Sequence, residues 1–209
     1  PIEPAGKEQK PLQGDSEPLV IAILPGSFKP PHRGHLAVAQ TIAKGGTKVR
    51  TGSRGVVSEI PAADKVYILV SAPVANSRPL PISEKVISAQ EAVQIWNSFL
   101  DKSTIRDKVE VMISPHASPF LPVHDFVTHP ADPTNKLVAP PNSTIILGVG
   151  DKDDDWKRYL GLIPKAAKER PDLKVFDMVV PVVGHSPKYV SLLDQNPDIK
   201  KMMKSNYKD

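Results

Sequence analysis

Short, unbroken apolar runs alternate with stretches of helical period along this chain, and that alternation constrains its fold more than any other feature. The runs lie at residues 19–24, 66–70, 108–114 ("KVEVMIS"), 143–150 ("STIILGVG") and 174–183 ("KVFDMVVPVV"). Continuous apolar runs of this length are the pattern of strands buried on both faces. Between the first two, "HLAVAQTIAK" places Leu36, Ala39, Ile42 and Ala43 at helical spacing. "PISEKVISAQEAVQIWNSFLD" predicts a helix with Ser83 as N-cap and Val86, Ile87, Val93, Ile95 and Phe99 as its apolar residues. "LPVHDFV" is a short amphipathic piece, and "KDDDWKRYLGLI" predicts one helix opening on acids, as its dipole prefers. "YVSLLDQ" and "PDIKKMMKS" read as short helices near the end. Strands alternating with helices imply right-handed crossovers: an α/β fold with a parallel sheet covered on both faces. Periodicity alone leaves the strand order open.

At 209 residues the chain is long enough for one good-sized core, assigned to residues 19–209. Residues 1–18 are polar and rich in Pro, Gly, Lys and Glu, the composition of a linker or disordered arm. Residues 45–63 hold four glycines and scattered basic residues and read as a surface insertion. No apolar run approaches the roughly 20 residues that cross a bilayer, so no membrane partner is expected. Cysteine is absent, which excludes disulfides and thiolate metal sites and is compatible with a cytoplasmic setting. The net charge of +4 is modest and reads as a solvated surface, not a nucleic-acid interface. The chain starts at Pro1, from which a longer parent chain with further domains is expected.

The turn after the first run, "GSFKPPHRGH" at residues 26–35, carries the candidate chemistry. It joins the carboxyl end of a buried strand to the start of a helix, where open parallel sheets bind ligands. Gly26 permits a tight turn with close backbone approach, and Pro30 and Pro31 stiffen the loop. His32 and His35 lie three apart on the first helical turn and can face one direction. Free backbone N–H groups at the helix start favour an anion, and two imidazoles beside them can donate to phosphate oxygens. Gly34 keeps the helix start bare of side chain. The competing reading is that the histidines merely cap or decorate a surface helix. Two histidines with no third ligand nearby do not define a metal site.

"GSFKPPHRGHLAVA" resembles the signature of the nucleotidyltransferase superfamily that carries a His-x-x-His motif. Among its branches it is most similar to the nicotinate/nicotinamide mononucleotide adenylyltransferases, and also to phage-type nucleotidyltransferase-like, or cytidylyltransferase-like, domains embedded in longer chains. The resemblance spans about residues 19–183. It implies a Rossmann-like five-stranded parallel sheet of order 3-2-1-4-5 with helices on both faces. It also implies transfer of a nucleoside monophosphate from a triphosphate, ATP or CTP, to a small phosphorylated acceptor, with pyrophosphate released and Mg²⁺ accompanying the triphosphate. His32 and His35 would be catalytic; Gly26, Ser27, Phe28 and Gly34 would hold the nucleotide. "ILGVGDKDDDW" resembles the Gly-x-Asp segment after the family's fourth strand. There Gly148 and Gly150 would let base or ribose lie on bare backbone, and Asp151 would accept from sugar hydroxyls. Arg78 sits where the family often places a basic residue near the acceptor. A phage origin would place the domain in host cytoplasm or a virion.

Weaker candidates are His116, Ser118 and Phe120 after the third strand, Lys152 and Arg158 as phosphate contacts, and the solitary His185. Trp156, His124 and Asp125 read as packing or solvent groups. The chain also departs from the family. The transferases carry Ser-x-Thr-x-x-Arg after strand five, at a helix start that grips the triphosphate. Residues 184–209 offer Ser186, Lys188 and Ser191 but no such constellation. A second reading therefore stands beside the enzyme: a nucleotidyltransferase-like domain serving as a binding or structural module of a larger protein.

Overall fold

A computed structural model describes residues 19–28, 30–51, 56–72, 87–116, 118–150 and 152–180. Its seven strands are β1 (Val20–Gly26), β2 (Lys48–Thr51), β3 (Val56–Glu59), β4 (Lys65–Val70), β5 (Val109–Ile113), β6 (Thr144–Gly150) and β7 (Lys174–Val180). They form one sheet of order β3-β2-β7-β6-β1-β4-β5. β1 pairs in parallel with β4 and β6, β4 with β5, and β6 with β7. Numbered along the chain, these five parallel strands run 3-2-1-4-5, the expected order. The other two strands extend the sheet beyond five. β2 is antiparallel to both β7 and β3, so the supposed surface insertion is an edge hairpin that buries Val49, Ile60 and Ala63. Four-residue strands bordered by glycines carry too few alternations to stand out from a loop in sequence.

The apolar runs are unbroken because each strand feeds two cores. Ala22, Leu24, Val66, Ile68, Val70 and Ile146 face one cluster; Ile21, Ile23, Tyr67, Leu69, Ile145 and Leu147 face the other. The first cluster is covered by α1 (Arg33–Lys44) and α2 (Ala89–Leu100), the second by α3 (Leu121–Thr128) and α4 (Leu162–Glu169). Helices on both faces of a parallel sheet follow from right-handed crossovers.

Two helices differ from the sequence reading. α2 starts after Ser88, not Ser83: the Ser88 hydroxyl accepts from the Glu91 N–H (3.0 Å), and Glu91 accepts from the Ser88 N–H (3.4 Å). Its buried face is Ala89, Ala92, Trp96 and Leu100, while Val93, Ile95 and Phe99 are only half-buried. One indole outweighs several aliphatic side chains in setting which face turns inward. The acid-led segment is not one helix. Lys152–Tyr159 is a 3₁₀ stretch, and α4 begins after Gly161, which places Pro164 in its first turn. There its missing N–H is harmless; in a helix running through from residue 152 it would break an interior hydrogen bond. Residues 181–209, including both expected terminal helices, lie outside the described residues, as does the arm 1–18.

On the α3/α4 side, buried Arg170 fastens three segments. Its guanidinium donates to the carbonyls of His129 (2.8 Å) and Ala139 (3.0 Å) and to both carboxylate oxygens of Asp172 (2.9 and 3.1 Å). Asp172 also accepts from the Asn142 N–H at 2.9 Å. Hydrogen bonding from Arg170 leads the effects that hold the Asp172 carboxyl down at about 2.

Candidate functional site

β1 and β6 lie side by side at the centre of the sheet, but their register pairing ends at Ile23–Leu147. Each strand continues for three more residues, paired only with its outer neighbour: β1 with β4 as far as Gly26–Val70, and β6 with β7 as far as Gly150–Val180. The carboxyl ends thus lose their shared pairing at the place where the strand order reverses, the position at which open α/β sheets take ligands. Gly26 and Gly150 are both three residues beyond the last shared pair. The structure therefore brings these two predicted positions to the same level at the carboxyl ends of neighbouring strands.

From Gly26, whose carbonyl accepts from the Ser71 N–H (3.0 Å), the chain turns through exposed Ser27 to buried Phe28. Phe28 adopts φ 48°, a left-handed conformation uncommon outside glycine. That turn folds its ring back over Gly26, where a Cβ would lie 2.6–2.9 Å from ring carbons. The ring meets His35 edge-on at 4.9 Å and Trp96 of α2 at 5.2 Å. Phe28 is therefore a packing side chain, and only its backbone remains for a ligand. Trp96 was not singled out from sequence. Its indole N–H is buried with no hydrogen-bond partner.

His32 and His35 do come together. His32 is the N-cap of α1, and its Nδ1 accepts from the N–H groups of Gly34 (3.1 Å) and His35 (3.4 Å). His35 Nδ1 accepts in return from the His32 N–H at 3.1 Å. The rings stack at 3.7 Å between centroids, 20° from parallel. This is a capping box built from two imidazoles, at the spacing usually filled by Ser/Thr and Glu. It corrects the expectation of free backbone donors at the helix start. The N–H groups of Gly34 and His35 serve His32 Nδ1, and that of Leu36 serves the His32 carbonyl at 3.2 Å. Gly34 is buried rather than presented to a ligand.

Gly148 is also corrected. A Cβ there would sit 2.5 Å from Ile42 Cδ1 and 3.0 Å from Leu24 Cδ1, so its bare Cα admits α1 onto the sheet and offers no surface to a nucleotide. Gly150 is half-buried at the strand end. Arg78, Asp151 and His185 fall outside the described residues.

After β5, the Ser114 hydroxyl is fully buried within bonding distance of the carbonyls of His116 (3.2 Å) and Ser118 (3.1 Å). It shapes the loop that carries both. Asp125 lies 3.3 Å from His129 Nε2 and 4.0 Å from His116 Nε2, a bridging position that sequence spacing did not reveal. The Arg158 guanidinium lies over the Phe120 ring at 4.4 Å and 3.7 Å from Asp155. Trp156 is half-buried against the α3/α4 cluster, as packing requires. Burial pushes the neighbouring Tyr159 hydroxyl well above its ordinary range, with Asp155 and Asp177 adding to the effect.

Among the described residues no group of three or more His, Asp or Glu side chains is placed to hold a metal ion, and no helix is long and apolar enough to cross a membrane. No protein-family model and no curated protein matches the chain.

Proposed function

We propose that the chain is a nucleotidyltransferase domain, moving a nucleoside monophosphate from ATP or CTP to a small phosphorylated acceptor with release of pyrophosphate. One observation carries the reading: a stacked histidine pair at the start of α1, the helix that follows β1, whose carboxyl end lies where the strand order reverses. Carboxyl-end crevices at a strand-order reversal take nucleotides, and paired imidazole donors suit the charge that develops on a transferred phosphoryl group. Acceptor phosphate would attack the α-phosphorus directly. Catalysis would consist of alignment and charge stabilisation, with the backbone at Gly26–Phe28 and Gly150 lining the nucleotide. Mg²⁺ would arrive with the triphosphate, whose oxygens usually supply most of its ligands alongside one or two carboxylates. Arg78 and Asp151 are retained as proposed acceptor and ribose contacts on the family resemblance alone.

The test is a pyrophosphate-release screen of ATP and CTP against phosphorylated acceptors with Mg²⁺. His35→Ala should lower turnover about 10²-fold or more. The same change removes half of the helix cap, so a loss of about 1 kcal/mol in stability should accompany it. Near-parental turnover in a folded His35→Ala protein would refute the mechanism. The absence of Ser-x-Thr-x-x-Arg from residues 184–209 favours the second reading, a nucleotide-binding module without turnover. Binding of ATP without pyrophosphate release for any acceptor would select it.

A further inference from the structure

The loop after β5 and the segment before α4 meet in a small platform that the proposed chemistry does not use. The buried Ser114 hydroxyl, within bonding distance of the carbonyls of His116 (3.2 Å) and Ser118 (3.1 Å), shapes the loop, and the Ser118 hydroxyl accepts from the Phe120 N–H at 3.1 Å. The half-buried Phe120 ring packs against buried Tyr159 at 5.8 Å, and the Arg158 guanidinium lies over it at 4.4 Å. Leu121, next to Phe120, is 50% exposed, and Leu160, next to Tyr159, is 44% exposed. Exposed leucines scattered singly are ordinary; two beside one fixed arginine mark a surface. We propose that Phe120, Leu121, Arg158 and Leu160 form a docking surface for an acidic–apolar peptide segment of a partner protein, in which Arg158 takes a carboxylate and the two leucines take the apolar side chains beside it.

The guanidinium is held in place but its donors are unspent. The Arg158 side chain is 58% exposed, and among the described residues it donates no hydrogen bond: Asp155 stands 3.7 Å from Nε, too far to accept one. An arginine held over an aromatic ring keeps its planar fork of N–H groups oriented, so little side-chain freedom is lost when an anion binds. A carboxylate is the planar acceptor that such a fork engages through two parallel bonds. The polarity of the surface is set as well. Asp125, one turn along α3 from Leu121, lies 3.3 Å from His129 Nε2 and puts negative charge at that end. The partner's acid is therefore expected at the Arg158 end and its apolar residues towards Leu121. Interfaces concentrate their energy on arginine and aromatic anchors enclosed by apolar neighbours, the composition met here. A free phosphate would gain nothing from the leucines, and a nucleic-acid strand would be repelled by Asp155 and Asp125. The surface is independent of the nucleotidyltransferase reading.

Backbone NMR on the full chain tests the surface, with the synthetic peptide acetyl-Leu-Phe-Glu-Leu-Leu-Asp-amide as probe and its Gln/Asn counterpart as the neutral control. The acidic peptide should shift the signals of Phe120, Leu121, Arg158 and Leu160, and the neutral one should bind about tenfold or more weakly. Arg158→Lys keeps a charge but not the fork and should lose about tenfold in affinity. Leu121→Ser combined with Leu160→Ser changes only exposed side chains, so the melting temperature should stay parental while affinity falls about tenfold or more. If Arg158→Lys loosens the platform, the leucine variant decides. Unshifted signals at these four residues would overturn the proposal, as would equal affinity for the acidic and neutral peptides or full affinity in the leucine variant. Tighter binding of inorganic phosphate or of a single-stranded oligonucleotide at the same residues would replace the peptide with a phosphate ligand. Shifts of the same signals with protein concentration alone would make a second copy of the chain the occupant, and the peptide reading would fall.

Discussion

At the residue scale, the two adjacent glycines after α1 show how alike a sequence can look where the physics differs. Gly45 (φ 63°) and Gly46 (φ 76°) both occupy the left-handed region, where a side chain is strained. A Cβ on Gly45 would also lie 2.4 Å from the Ala62 backbone nitrogen, while one on Gly46 would meet open space. Gly46→Ala should therefore cost about 1 kcal/mol, the conformational strain alone, and Gly45→Ala about 2–4 kcal/mol because the backbone of residues 61–62 must move. Chemical denaturation of the two variants measures the difference, and equal losses would show that the hairpin shifts freely. The histidine pair belongs to the same scale. Its spacing was legible as a functional signal and also as a cap, and the structure shows that the cap is made.

At the element scale, the ends of helices decide more than their middles. The helical period of residues 89–100 was readable, and so was the signal for its start: Ser88 has Glu91 three residues on, the capping-box spacing, where Ser83 has Val86, and the reciprocal bonds with Glu91 confirm Ser88. Ser88→Ala should lose about 1 kcal/mol of stability, read from the shift in denaturation midpoint. The Arg170–Asp172 clasp between α4 and β7 gives a pH-dependent counterpart. The folded Asp172 carboxyl sits at about 2, below its ordinary value of 3.8. A depressed carboxyl stabilises the fold above its unfolded value and loses that contribution as pH falls through the folded one. Stability attributable to Asp172 should thus be complete above about pH 4 and vanish toward pH 2, with about 2 kcal/mol at stake after solvent screening. Asp172→Asn should flatten that part of the acid-unfolding curve; an unchanged acid limb would show that the carboxylate contributes nothing.

At the scale of the whole molecule, the sheet has a rigid centre and a lightly attached edge. β1 is flanked on both sides by parallel strands, whereas the hairpin meets β7 in register at Arg50–Val179. Amide hydrogen exchange should therefore show Ile23, Ile68 and Leu147 opening only with global unfolding, and Arg50 and Ser58 exchanging earlier through local opening. Uniform protection would mean that the hairpin folds as one unit with the centre. The five parallel strands were determined by the sequence itself, because the residues that β1, β4, β6 and β7 bury must be apolar whatever packs on them, and edge strand β5 keeps enough apolar residues to stand out. The two-sided helical cover followed from their alternation with amphipathic segments. Their order lay beyond periodicity and was anticipated only through the family resemblance. Tertiary structure alone decided that Lys48–Thr51 and Val56–Glu59 join the sheet, that Gly148 makes room for Ile42, that Trp96 supports Phe28 and His35, and that Asp125 lies between two histidines. Each of these depends on which distant segment becomes a neighbour, and local composition carries no record of that.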